Sequence, residues 1–496
     1  MNLLQRAYDP EQFRQQGHQL IDQLADYLQS AQSRALPQAI TYAEPEEQYE
    51  FWTDWEAGQS TEALFNALLQ NSVKVHHPCY MGHQISPPLP VTALAGLASD
   101  FLNNGMGVYE MGAGATAMEK VVIQTVAKAM QLGSKADGFL TSGGTLANLT
   151  ALLTARRMQA KTDVWAEGTK QQYAIMVSEE AHYCVDRAVR IMGWGDRGVI
   201  KIPTDSHFKI KKKTLTEEYL KAKKEGIEVI AIVGSACTTS TGSFDDLNAI
   251  ADFCSEYDVW MHVDGAHGGG TVFSDKNRHL VAGIERADSV IMDFHKLLMT
   301  PAVTTAVVYK DGRHAYNTFA QKAQYLWKDA AEPQWFNIAK RSFECTKTMM
   351  SLKVFSILNS YGTAIFQEYV DAVYANGKRF AALVEASEEL ELAVEPECNI
   401  VCFRYVDRQV TSLLETRHEQ DVSDTHELKT SRERERLNEI NLQIRQQLLE
   451  DGRFYVVQTN LRGTVYLRVT LSNAFTTESD MNDLLKEVVK IGINFI

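Results

Sequence analysis

A chain of 496 residues, 45% hydrophobic and 23% charged, is long enough for two or three packed units with the balance of a globular protein. Its formal net charge of -14 argues against a nucleic-acid partner, which would ask for a basic face. No run approaches the roughly 18 apolar residues of a membrane span, and the first residues lack a basic-then-apolar leader, so the cytoplasm is the default expectation.

Residues 10 to 34 carry Phe13, Leu20, Ile21, Leu24, Tyr27 and Leu28 at close to helical spacing. A lone amphipathic helix has little to bury within itself, so this arm is expected to pack on another body, such as a second subunit. Pro and Gly then punctuate HHPCYMGHQISPPLP, which reads as a loop. Helical patterns resume in VTALAGLASDFLN and ATAMEKVVIQTVAKAM.

From about 138 to 310, short apolar runs alternate with helical segments. The expected strands are YAIMVS, GVIKIP, VIAIVGSA, VWMHVD, SVIMDF and TAVVYK, several apolar at nearly every position. Such runs suit a parallel sheet covered on both faces, an α/β architecture. Polar residues gather where the strands end: Ser178 to His182, Thr238 and Thr239, Asp264 to His267, His295 and Lys296. Ligands of open α/β sheets sit at that edge. Beyond 342, SLKVFSILNSYG and TAIFQEYVDAVYANGKRFAALVEAS read as helices and NIVCFRYV and VYLRVTLSN as strands. The charged stretch RHEQDVSDTHELKTSRERERLNEI between them reads as an exposed loop feeding a helix. The division expected is an arm over 1–75, a large domain over 76–350 and a small α+β domain over 351–496.

Seven cysteines with no CxxC pair suggest neither a disulfide framework nor a zinc ribbon. The nearest pair, Cys398 and Cys402, falls in the strand-like ECNIVCF and reads as core or surface thiols, so no metal site is expected.

Four segments carry chemistry together that each would not carry alone. Lys296 in DFHKLL could snorkel to solvent from a strand end, or stand as a desolvated amine available to a carbonyl. Asp264 in HVDGAHGG ends a buried strand and needs a cation; a structural ion pair or a protonated pyridine nitrogen would each serve. Ser142, Gly143, Gly144 and Thr145 in TSGGTLANL lie between a strand and a helix, where free amides and a hydroxyl suit phosphate. His182 in SEEAHYCVDRA is either an ordinary histidine or an imidazole lying over an aromatic ring. A phosphate cradle, a stacking imidazole, a carboxylate and an amine are jointly the contacts of pyridoxal phosphate.

These motifs, with LRVTLSN near 467 to 473, resemble the group II pyridoxal-phosphate-dependent amino-acid decarboxylases from about residue 60 to the C-terminus. The resemblance implies a fold-type I, aspartate-aminotransferase-like large domain with a mostly parallel seven-stranded sheet, a small C-terminal α+β domain and an obligate homodimer. It implies further that Lys296 holds the cofactor aldehyde, Asp264 pairs with the pyridine nitrogen and His182 stacks on the ring above Ala266. Gly144, Thr145 and His295 would serve the phosphate, Thr239 would lie near the cofactor, and Arg468 would hold the substrate carboxylate.

Many relatives protonate Cα from a loop tyrosine. The corresponding loop, AQYLWKDAAEPQWFNIAKRSF, holds Tyr325 alone, early in the segment; His182 or water are the alternatives. The substrate pocket is expected in the 76 to 111 region, where His83 and Tyr109 stand among polar residues that suit a short polar amino acid such as 2,4-diaminobutyrate. Acidic or aromatic amino acids, transamination, and decarboxylation-linked oxidative deamination are the competing readings.

Overall fold

The computed structural model describes residues 2–319, 334–407 and 424–495. The chain divides into two compact units: Met1–His83 with Arg379–Ala393 and Cys402–Ile496, and Gln84–Lys378 with Val394–Val401.

The larger unit is built on seven strands: β1 (Asp137–Thr141), β2 (Tyr173–Ser178), β3 (Val199–Ile202), β4 (Glu228–Ser235), β5 (Trp260–Asp264), β6 (Ser289–Asp293) and β7 (Thr305–Tyr309). Their order in the sheet is β1-β7-β6-β5-β4-β2-β3. The β6-β5-β4-β2-β3 pairs are parallel, and β7 runs antiparallel to both its neighbours. The carboxyl ends of the other six strands therefore share one edge with the start of β7.

Strand periodicity explains why these segments are apolar throughout. On β2, Ala174 and Met176 enter one buried cluster while Tyr173, Ile175 and Val177 enter another. On β6, Val290 and Met292 split from Ile291 in the same way, and on β7 Ala306 and Val308 split from Val307 and Tyr309. Successive side chains point to opposite faces, so a sheet covered on both faces needs apolar residues at every position.

The smaller unit holds β8 (Leu390–Leu392), β10 (Val457–Leu461), β11 (Thr464–Thr470) and the end of β9 (Ile400–Tyr405), in the order β10-β11-β9-β8. The charged stretch, expected as an exposed loop feeding a helix, is already helical from Asp424, in a helix that runs to Asp451. Its charges hide a stripe of buried Leu437, Ile440, Ile444 and Leu448, and Asn441 exchanges hydrogen bonds with the backbone of Tyr405 at 2.9 and 3.0 Å. The N-terminal helix Pro10–Gln32 is capped by Asp9 and bonds helix Thr61–Gln70 through Gln16 and Gln23. It leaves Phe13, Ile21 and Leu24 at least 36% exposed. Among the described residues no helix is long and apolar enough to cross a membrane.

Candidate active site

The shared strand edge of the larger unit encloses a cavity of roughly 340 Å³. Residues that follow five different strands line it, from Gly144 after β1 to Lys296 after β6.

β6 ends on Asp293, and a single helical turn, Phe294–Leu297, carries His295 and Lys296 directly after it. Asp293 is 2% exposed, a costly place for a carboxylate unless cations face it. Lys296 Nζ stands 3.4 Å and His295 Nε2 3.5 Å from its Oδ2, and Thr305 Oγ1 donates to Oδ1. Ser86 fixes the turn from the other side, donating its N–H and hydroxyl to the His295 carbonyl at 3.1 and 3.2 Å.

Asp264, at the end of β5, is held differently. Asn148 Nδ2 donates to its Oδ2 at 3.0 Å and the Ala266 N–H to its Oδ1 at 3.1 Å. Because the Asn148 amide nitrogen is committed to Asp264, its oxygen must accept, and His262 Nε2 lies 2.8 Å from that oxygen. His262 therefore carries its proton on Nε2, and Nδ1 accepts from Ser289 Oγ at 2.8 Å. Trp260 Nε1 donates to the same Ser289 oxygen at 2.9 Å, leaving the hydroxyl hydrogen free for the imidazole. The chain of donors runs one way: Trp260 to Ser289 to His262 to Asn148 to Asp264. Burial pushes the pKa of His262 down, which keeps the ring neutral as this order requires. Alternation explains the alignment, since Trp260, His262 and Asp264 share one face of β5 and His262 pairs in register with Ser289.

The glycine turn after β1 opens helix Gly144–Gln159. Gly143 adopts φ +99, a conformation that L side chains rarely enter, and this turn brings Gly144 and Thr145 to the cavity at the helix start. A helix of 16 residues presents free amides and a partial positive charge there. His182 lies between β2 and helix Cys184–Ile191, its Nδ1 accepting from the Cys184 N–H at 3.3 Å, so its proton sits on Nε2. Burial lowers its pKa, with Asp264 opposing and Lys296 assisting. Ala266 and Thr239 also line the cavity.

Lys296, His295, Asp264, Ala266, Thr239, His182, Gly144 and Thr145 are thus brought to one cavity from positions spread over nearly a third of the chain. Tyr109 is not among its lining residues; 43% exposed, it packs edge-on to Phe336 at 5.5 Å. Arg468 and His83 belong to the smaller unit, Arg468 buried on β11 and His83 with its ring 5.9 Å from Tyr455. Tyr325 lies outside the described residues. Sequence reading assigned no role to Asp293, Asn148, His262 or Ser289. The available signals were a buried-strand histidine two residues before Asp264 and an asparagine one helical turn after Gly144.

The profile described as "Pyridoxal-dependent decarboxylase conserved domain" matches residues 65–406. The aromatic-L-amino-acid decarboxylase of Bacillus atrophaeus is 25% identical over 96% of this chain and 95% of its own length. The L-2,4-diaminobutyrate decarboxylase of Rhizobium meliloti (strain 1021) is 29% identical over 85% of this chain and 79% of its own. The crystal structure of mouse CSAD in apo form superposes with a TM-score of 0.86 at 23% identity, covering 98% of this chain and 99% of that one, which shows the shared fold. A match over more than half of the chain, on the fold and cavity described above, makes the protein a member of the pyridoxal-dependent decarboxylase family, a PLP-dependent amino-acid decarboxylase.

Proposed function

We propose that the protein converts a short polar L-amino acid to its amine and CO2, with 2,4-diaminobutyrate the first candidate. The observation that carries the chemistry is the convergence of an amine, a carboxylate, an imidazole and a helix start in one cavity of roughly 340 Å³. The substrate class rests on the likeness to a diaminobutyrate decarboxylase and on the polar character of residues 76 to 111, none of which is among the residues lining the described cavity.

The cavity fits pyridoxal phosphate through its donor set. Asp264 is an acceptor with a one-way chain of neutral donors behind it and no cation of its own in that chain, as suits a protonated ring nitrogen. Lys296 would hold the aldehyde carbon through Nζ. The amides of Gly144 and Thr145, with the Thr145 hydroxyl and His295, would hold the phosphate, with Thr239 beside them. His182 would cover one face of the ring and Ala266 the other. When bound, the cofactor supplies a sink for the electron pair left at Cα as the carboxylate departs.

The protein's own work is orientation and proton control. Which bond at Cα breaks is set by orientation, so the groups that hold the substrate carboxylate, for which the sequence offers Arg468, would select decarboxylation over the other bonds. Asp264 would favour a proton on the ring nitrogen through its negative charge. A neutral His182 can lie close to Lys296 without like-charge repulsion, and its Nε2 proton faces the choice of donor at Cα together with Tyr325. A homodimer is part of the same reading, supported by Leu3, Leu4, Tyr8 and Phe13, which are all at least 50% exposed.

A panel of amino acids assayed for CO2, with the product identified by mass, tests the proposal. Diaminobutyrate should give 1,3-diaminopropane. A keto acid would point to transamination, and an aldehyde with ammonia to oxidative deamination; either would overturn it. Light scattering should report twice the chain mass.

A further inference from the structure

Three buried side chains able to bind a metal are used by none of the roles above. Cys237 follows β4, His267 follows β5, and Cys398 lies in the segment Val394–Val401 of the same unit. They are 8%, 2% and 1% exposed. The two Sγ atoms stand 3.9 Å apart, and one ligand atom from each of the three residues lies within 4.8 Å of the others.

The spacing discriminates between uses of a thiol pair. Zinc–thiolate bonds of about 2.3 Å put two thiolates of a tetrahedral centre about 3.8 Å apart. A disulfide of about 2.05 Å would require the sulfurs to close by about 1.9 Å. The sulfurs already stand at the tetrahedral edge length. Asn399 Oδ1 lies 2.8 Å from His267 Nε2, and an amide oxygen can only accept, so the proton is fixed on Nε2 and the lone pair on Nδ1. A carbonyl on the far nitrogen is the usual outer partner of a metal-bound imidazole. Gly242, at φ +74, clears the space for Cys398: a Cβ there would stand 2.6 Å from its Sγ.

We propose that Cys237, His267 and Cys398 bind a zinc ion in the wall of the cofactor cavity, with water completing the tetrahedron. Two thiol protons leave to solvent as the ion enters, and the two thiolates cancel its double charge, so the buried centre is neutral. Two sulfurs and an imidazole favour zinc over magnesium or calcium, which prefer oxygen. Cys237 and His267 line the cavity and Cys398 does not, so the ion would staple the segment Val394–Val401 to the loops after β4 and β5. The site is structural rather than catalytic.

Elemental analysis of the cofactor-loaded protein, dialysed against zinc and then zinc-free buffer, tests this. The expected result is close to one zinc per chain, retained by Cys402→Ser and reduced at least tenfold in Cys398→Ser and in His267→Asn. Zinc absent from the wild type, zinc retained by Cys398→Ser, or a Cys237–Cys398 disulfide found by peptide mapping would each overturn it. Should the variants fail to fold, X-ray absorption at the zinc edge of the wild type decides: sulfur neighbours at about 2.3 Å support the site, and a shell of oxygen and nitrogen alone contradicts it.

Discussion

β5 and β6 lie side by side and each delivers a buried or half-buried acid to the same cavity, yet the two acids are held in opposite ways. Asp293, at the end of β6, faces Lys296 and His295 within 3.5 Å, so the protein supplies its counter-charge. Asp264, at the end of β5, is held by an amide side chain and a backbone N–H, with the oriented chain back to Trp260 behind. Neutral donors fix its position without satisfying its charge. On the proposed reading, that contrast separates a carboxylate kept for a cation that would arrive with the cofactor from one that is part of the turn carrying Lys296.

Substitutions sharpen the comparison in order of effect. Lys296→Ala should lower decarboxylation by roughly 10³-fold or more, since no other amine among the described residues lines the cavity. Asp264→Asn should cost about 10²–10³-fold in kcat while the protein stays folded, measured by steady-state kinetics beside a thermal melt. Asp293→Asn, which keeps an oxygen for Thr305, should cost less activity than Asp264→Asn. If the β6 change proved the more damaging of the two, the contrast would fail.

The relay makes a stability prediction of its own. Asn148→Ala leaves a half-buried Asp264 oxygen and the buried His262 N–H without these partners and should destabilise the fold by about 1–3 kcal/mol in denaturant titrations. The same relay bears on pH dependence. The native His262 titrates below its ordinary value of 6.5, so the unfolded chain takes up a proton first as pH falls. Stability should therefore drop below about pH 6.5, with this ring contributing up to about 1.4 kcal/mol per pH unit. His262→Gln should flatten that slope; an unchanged slope would place the proton elsewhere.

Much of this site was legible before any coordinates. YAIMVS is β2 residue for residue, and the residues marked at strand ends do meet at one edge, because period-two burial and the α/β edge rule are local properties of sequence. The relay was not legible: Asn148 and His262 are 114 residues apart, and nothing local says that a strand histidine faces a helix asparagine. The helix Asp424–Asp451 was obscured because its few buried apolar residues are outnumbered by charges. The thiol pair was hidden for the same reason as the relay, its members being 161 residues apart with no local spacing to mark them.

One measurement bears most directly on the whole account. The purified, cofactor-loaded protein should be reduced with borohydride, digested and mapped by mass. The pyridoxyl phosphate adduct is expected on the peptide containing Lys296 and on no other. An adduct at a different lysine, or none in a protein that retains the cofactor's visible absorbance, would contradict the assignment of the β6 turn as the cofactor's anchor.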